Sequence, residues 1–162
     1  MRKTLILAVL TTLISGCATK YQSVGFTGGF TETQLAPDVF RVSFSGNGYT
    51  SGDRVQDFAL LRAAELMLAN NFPYFVLIDS ADQSQTGTVV VPGSSQTTGT
   101  VRSSGSHATY SSTTTTNPAQ VYNVYRPGVG LMVRGLKSPP EQEFAFDAAF
   151  IVKTLKAKYK IE

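Results

Sequence analysis

Between residues 39 and 45 apolar and polar positions alternate, with Phe40, Val42 and Phe44 on one side and Arg41, Ser43 and Ser45 on the other. A period of two predicts a strand with one buried and one wet face. Residues 30–35 supply a partner strand across the turn-forming Ala36-Pro37-Asp38, giving a hairpin. Gly46-Asn47-Gly48 breaks the alternation, and a helix begins near Thr50 or Ser51, with Asp53 placed to complement its positive end. Residues 54–70 are rich in Ala, Leu and Met and apolar around most of a helical wheel, which predicts a largely buried helix with Gln56, Asp57 and Asn70 as its exits to solvent. Asn70-Asn71 before Pro73 ends it.

The continuous apolar run 74–78 reads as an interior strand closed by Asp79. Composition then changes: residues 83–120 contain 18 Ser or Thr among 38 positions, with Arg102 the one clear charge. Such a segment buries too little to offset its ordering entropy, so a mobile loop or a marginal hairpin is expected. Within it, 88–91 and 100–102 are suited to pair as edge strands. Strands follow at 121–125 and 130–136, and a closing helix at 146–159 carries Phe146, Ala149, Phe150 and Leu155 at helical spacing. The order β-β-α-β-loop-β-β-α predicts an α+β fold: a two-layer sandwich of a mainly antiparallel sheet with two helices on one face, interrupted by a long disordered Ser/Thr-rich insert at 83–120.

One apolar block stands outside this scheme. Arg2 and Lys3 precede a run of about ten residues, 5–14, which is too short to span a bilayer and reads as a signal-peptide core. It ends in Ile14-Ser15-Gly16-Cys17, and Cys17 is the only cysteine of the chain. This arrangement resembles the lipobox of bacterial lipoproteins, which implies cleavage between Gly16 and Cys17, a diacylglyceryl group on the Cys17 sulfur and an N-acyl chain on the new terminus. Ala18 follows the cysteine where an inner-membrane retention signal has Asp, so the resemblance implies the periplasmic leaflet of the outer membrane. The expected organisation is a signal peptide at 1–16, a lipid anchor and flexible tether at 17–29, and a single domain at 30–162.

Without Arg2 and Lys3, the balance is 12 Lys/Arg against 11 Asp/Glu, and the basic residues form no stripe of the kind that binds nucleic acid. Lys153, Lys156, Lys158 and Lys160 are expected to solvate the last turns of the closing helix. With Cys17 acylated, no thiol remains for a disulfide or for thiolate metal chemistry. No His/Asp/Glu grouping has metal spacing, and His107, the one histidine, lies in the insert. The expectation is therefore no catalytic residue, no metal and no cofactor other than the covalent lipid.

Two constellations remain as candidates. Gly46, Asn47, Gly48, Tyr49 and Thr50, followed by Gly52 and with Asp79 ending the next strand, imitate a dinucleotide fingerprint. The simpler reading is a tight strand-to-helix turn whose glycines supply positive φ. Arg62 and Glu65, three apart on an otherwise apolar helix, read as a structural ion pair.

Phe44-Ser45-Gly46-Asn47-Gly48-Tyr49-Thr50 and Ala59-Leu60-Leu61-Arg62-Ala63-Ala64-Glu65-Leu66 recur in a recognisable order with Gly28-Gly29-Phe30-Thr31-Glu32, Tyr74-Phe75, Arg126-Pro127-Gly128 and Phe146-Asp147-Ala148-Ala149-Phe150-Ile151. In that combination the chain resembles a family of small, functionally uncharacterised bacterial lipoproteins typified by Caulobacter proteins. The resemblance implies a lipid-anchored envelope protein and carries over no activity or substrate. The function expected is an outer-membrane-anchored, non-enzymatic structural or interaction module. Its partners would be the membrane, through the anchor, and envelope proteins or cell-wall polymer. The alternative is a periplasmic ligand-binding or enzymatic domain that uses the turn at 46–53.

Overall fold

A computed structural model describes residues 18–141 and 144–162. The segment 1–16 expected to be a signal peptide, with Gly16, and the expected lipidation site Cys17 lie outside the described residues. The remainder is mainly antiparallel sheet with two helices, an α+β fold.

The elements of the main unit are β1 (Gly29–Ala36), β2 (Val39–Ser45), α1 (Gly52–Ala69), β3 (Tyr74–Asp82), β8 (Gly128–Leu136), β9 (Phe146–Asp147) and α2 (Ala148–Tyr159). Its five strands are ordered β1-β2-β8-β3-β9, each antiparallel to its neighbour. Register follows from the alternation in β2: Phe40 faces Val133, Val42 faces Leu131 and Phe44 faces Val129, and all six side chains are buried. Arg41, Ser43 and Ser45 pair with Met132, Gly130 and Gly128 on the opposite face. Helix α1 packs on β2 and β8 through Val55, Phe58, Ala59, Ala63 and Met67, while α2 packs on α1 and β9. Phe58 sits at the centre, with Phe44, Tyr21 and Tyr159 in edge contact at centroid distances of 5.2, 5.4 and 4.8 Å.

The helix begins one residue later than a Thr50 cap would place it. Ser51 is the N-cap, its hydroxyl accepting the Arg54 N–H at 3.3 Å, and Thr50 turns inward instead. Asn70 closes the helix, and Asn71 takes the left-handed conformation at φ 60° that Asn tolerates better than most residues.

Three expectations change. The run 74–78 is not interior along its length: Phe75 is buried, whereas Leu77 and Ile78 are exposed. β9 covers only Tyr74 and Phe75, and a bulge between Leu77 and Asp79 shifts the register against β8. Apolarity identified the strand but not the length of its neighbour.

The segment 18–29 is not a free tether. Phe30 N donates to Gln22 O at 2.9 Å, Tyr21 packs on Phe30 and Phe58, and Thr19 is buried. Gly28 and Gly29 serve a docked backbone here, with φ of 103° and 137°. A Cβ on Gly29 would lie 2.6 Å from Gln22 O. Their freedom is spent on a close approach rather than on slack.

The insert is laid down as strands. A second compact unit, Thr86–Val124, contains β5 (Ser94–Ser104) paired with β6 (His107–Asn117), while β4 (Gln85–Val91) pairs with β7 (Gln120–Arg126). Residues 88–91 thus do not pair with 100–102. Arg102 opposes Thr109, and Gly105 makes the turn at φ 63°. β-branched Thr and Val suit an extended backbone, and Thr97 and Thr114 share a hydroxyl hydrogen bond of 2.9 Å. No residue of β5 or β6 is buried.

Candidate functional site

Asn47 organises the turn that follows β2. Its carbonyl accepts Thr50 N–H at 3.0 Å, and its side-chain oxygen accepts Tyr49 N–H at 3.0 Å and the Thr50 hydroxyl at 2.9 Å. The carbonyl of Pro127 accepts Gly46 N–H at 2.8 Å, tying the turn to the start of β8. Short polar side chains that bond their own backbone in this way stabilise turns locally.

Thr19 enters this turn from outside. Its N–H donates to Thr50 Oγ1 at 2.9 Å, its hydroxyl donates to the Thr27 carbonyl at 2.6 Å, and its Oγ1 accepts Asn47 N–H at 2.9 Å. Thr19 and Thr50 are the buried polar residues among those described, at 1% and 6% exposure. Both hydroxyls are satisfied, as burial demands. Sequence reasoning missed Thr19, because its partners in the turn, Asn47 and Thr50, lie 28 and 31 residues away and nothing local marks it.

The glycines act differently from expectation. Gly46 does not have positive φ; it is small because a Cβ would come within 2.7 Å of Thr50 Cβ and 3.0 Å of Val55 Cγ2. The dinucleotide likeness also fails topologically. β8 lies between β2 and β3, so they are not the adjacent parallel strands of such a site, and Asp79 is paired with Met132. Tyr49 stands 77% exposed and lines neither of the two depressions described below.

Arg62 and Glu65 do pair, at 3.3 Å, but Arg62 holds Glu32 of β1 more closely, with Nε at 2.5 Å and Nη2 at 3.0 Å from its two carboxylate oxygens. The guanidinium also lies over the Phe30 ring, 4.5 Å from its centroid. Glu65 in turn accepts from the Tyr21 hydroxyl and pairs with Lys156 of α2 at 3.3 Å. The result is a half-buried network joining the N-terminal segment, β1, α1 and α2. The bidentate bond to Glu32 holds the Arg62 guanidinium more firmly protonated than usual, and burial followed by the Glu65 bond pushes the Tyr21 phenol well above its ordinary value. Glu65 already receives three donors, so its carboxylate is occupied in structural bonds.

The C-terminal lysines also do more than meet solvent. Lys158 and Tyr159 both donate to Asp57 of α1, at 2.6 and 2.7 Å, and Lys156 reaches Glu65. Arg54 lies over Phe58 and Tyr159, 4.8 and 5.1 Å from their centroids.

Two shallow depressions accompany these features. One, of about 270 Å³, runs beside the start of α1 and is lined by Gly52, Val55, Gln56, Ser80, Asp82 and Tyr125 among others. A second, of about 510 Å³, is lined by Thr31, Ser43, Ser45, Gln83 and Gln85. Neither gathers a nucleophile, base and orienting group of the kind that acyl-transfer chemistry needs. No group of three or more metal-ligating side chains occurs among the described residues. No known protein family, curated protein or solved structure matches this chain.

Proposed function

We propose that this chain is a bacterial lipoprotein of the family it resembles, held at the periplasmic leaflet of the outer membrane by diacylglyceryl and N-acyl lipid on Cys17. There it serves as a non-enzymatic structural or interaction module of the envelope. The observation that carries this reading is the basic start and short apolar run that end in Ile14-Ser15-Gly16-Cys17. No described helix is long and apolar enough to cross a membrane. A single acyl chain binds only marginally, so the two or three chains of a mature lipoprotein are what make the attachment stable.

The same reading arranges the main unit as two layers, with both helices on one sheet face, and leaves the insert only marginally ordered. Packing of α1 on β2 and β8, and of α2 on α1, supports the first. Strands β5 and β6, rich in hydroxyls and without a buried residue, support the second. Rows of exposed Ser and Thr suit a polar envelope partner such as cell-wall polymer or another envelope protein. The alternative of a ligand-binding turn at 46–53 has less support, since Gly46 is packed against Thr50 and Tyr49 lines neither depression.

Mass measurement of the N-terminal peptide, with Cys17→Ser as control, tests the anchor. Acyl mass on Cys17 and release of the Ser variant from membranes are expected; a Ser variant that stays fully membrane-bound overturns it. Crosslinking in intact envelopes then identifies the partner.

A further inference from the structure

The anchoring residue and the folded domain are joined by a very short link. Only Ala18 separates Cys17 from Thr19, and Thr19 is fixed in the domain by its bonds to Thr50, Asn47 and Thr27. Two extended residues span at most about 7 Å. A lipid on Cys17 therefore brings the corner of the domain around Thr19 to the bilayer surface.

That corner carries unpartnered aromatic groups. Phe26 is fully exposed at the tip of a tight turn closed by two 3.1 Å hydrogen bonds between Gly25 and Gly28, and the next residue, Thr27, is bonded to Thr19. Tyr49 is exposed in the turn that Thr19 clamps through Asn47 and Thr50. Lys20, the residue that follows Thr19, is exposed. Aromatic rings with a cation at their margin are the groups that partition to headgroup level, where the ring meets the acyl boundary and the ammonium meets phosphate.

Resting on the lipoprotein reading, we propose that Phe26, Tyr49 and Lys20 form a membrane-docking corner that inserts at the lipid interface, so that the domain sits against the bilayer in a fixed orientation. The Thr19 clamp sets that orientation. Phe26 supplies apolar area, Tyr49 supplies an amphipathic ring and Lys20 meets anionic headgroups.

The chain contains no tryptophan, so a single Trp is a clean reporter. Full-length lipidated Phe26→Trp, Tyr49→Trp and Leu35→Trp are reconstituted in vesicles of phosphatidylethanolamine and phosphatidylglycerol, with and without brominated phosphatidylcholine. Leu35 is exposed near the far end of β1, about 20 Å along the strand from Gly29. Blue-shifted emission and loss of intensity to the brominated lipid are expected at positions 26 and 49 and not at 35. Adding Thr50→Val, which removes the Thr50 acceptor of the Thr19 N–H and so loosens the clamp, should weaken the quenching at 26. Water-like, unquenched emission at position 26 with acyl mass present on Cys17 overturns the docking while leaving the anchor intact. Missing acyl mass overturns both. A blue shift that instead requires high protein concentration without vesicles overturns docking in favour of a second copy of the chain.

Discussion

The Tyr21 hydroxyl donates to Glu65 across 44 residues of sequence, joining the N-terminal segment to the C-terminal half of α1. A hydrogen bond to a charged acceptor contributes roughly 1.5–3 kcal/mol when its partner is otherwise kept from water. Tyr21→Phe should therefore lower unfolding free energy by about that amount in urea titration, with little change in the slope.

The same pair predicts a pH dependence. The folded pKa of Tyr21 is raised, so its protonated form is favoured by folding; the contribution is complete below the unfolded value of about 10 and declines as pH rises above it. Alkaline titration followed by tyrosinate absorbance should show Tyr21 and Tyr159 ionising later than the other tyrosines, with the Tyr21 step absent from Tyr21→Phe. Wild type should also lose more stability than Tyr21→Phe above that pH.

Gly46 and Gly52 offer a paired test of the turn. Gly46→Ala places a methyl against Thr50 and Val55 and should cost about 1–3 kcal/mol. Gly52→Ala meets nothing within 4 Å at the start of α1 and should be neutral or stabilising by up to about 1 kcal/mol. Thermal melts of the two variants check the contrast, and equal losses would refute the packing account.

Phe58 is tightly held in the core. It is completely buried between three other aromatic rings, and Phe58→Ala should cost about 3–5 kcal/mol because the surrounding rings cannot collapse into the space. Chemical denaturation measures this directly.

Legibility in the sequence followed the range of each interaction. Phe40, Val42 and Phe44 disclosed their strand because alternation is a local consequence of burying one face. The Ala-rich stretch disclosed α1 for a similar reason. Arg62 and Glu65 were visible as neighbours on one helix, but Glu32 and Lys156, on other elements, were not. Thr19 was hidden for the same cause. In the insert, both faces of β5 and β6 are polar, so no hydrophobic pattern pins their register, and the sequence had no means of showing that Val101 faces Tyr110.

Replacing Thr86–Val124 by a short Gly-Ser link should leave the melting of the main unit almost unchanged, within about 0.5 kcal/mol, because the removed unit contributes no buried residue to the core. Hydrogen exchange should show its amides opening far more readily than those of β2 and β8. Loss of folding on deletion would mean that the insert stabilises the domain rather than decorating it.

Beyond Phe75, no described strand pairs with the outer side of β3, leaving a row of backbone donors and acceptors unclaimed by the sheet. Such an edge ordinarily invites a neighbouring molecule to add its own strand. Here the bulge after Leu77 bends the chain, and Asp79 and Asp82 place carboxylates along it. A second copy approaching along this edge would meet a bulged, like-charged rim that disfavours strand addition there.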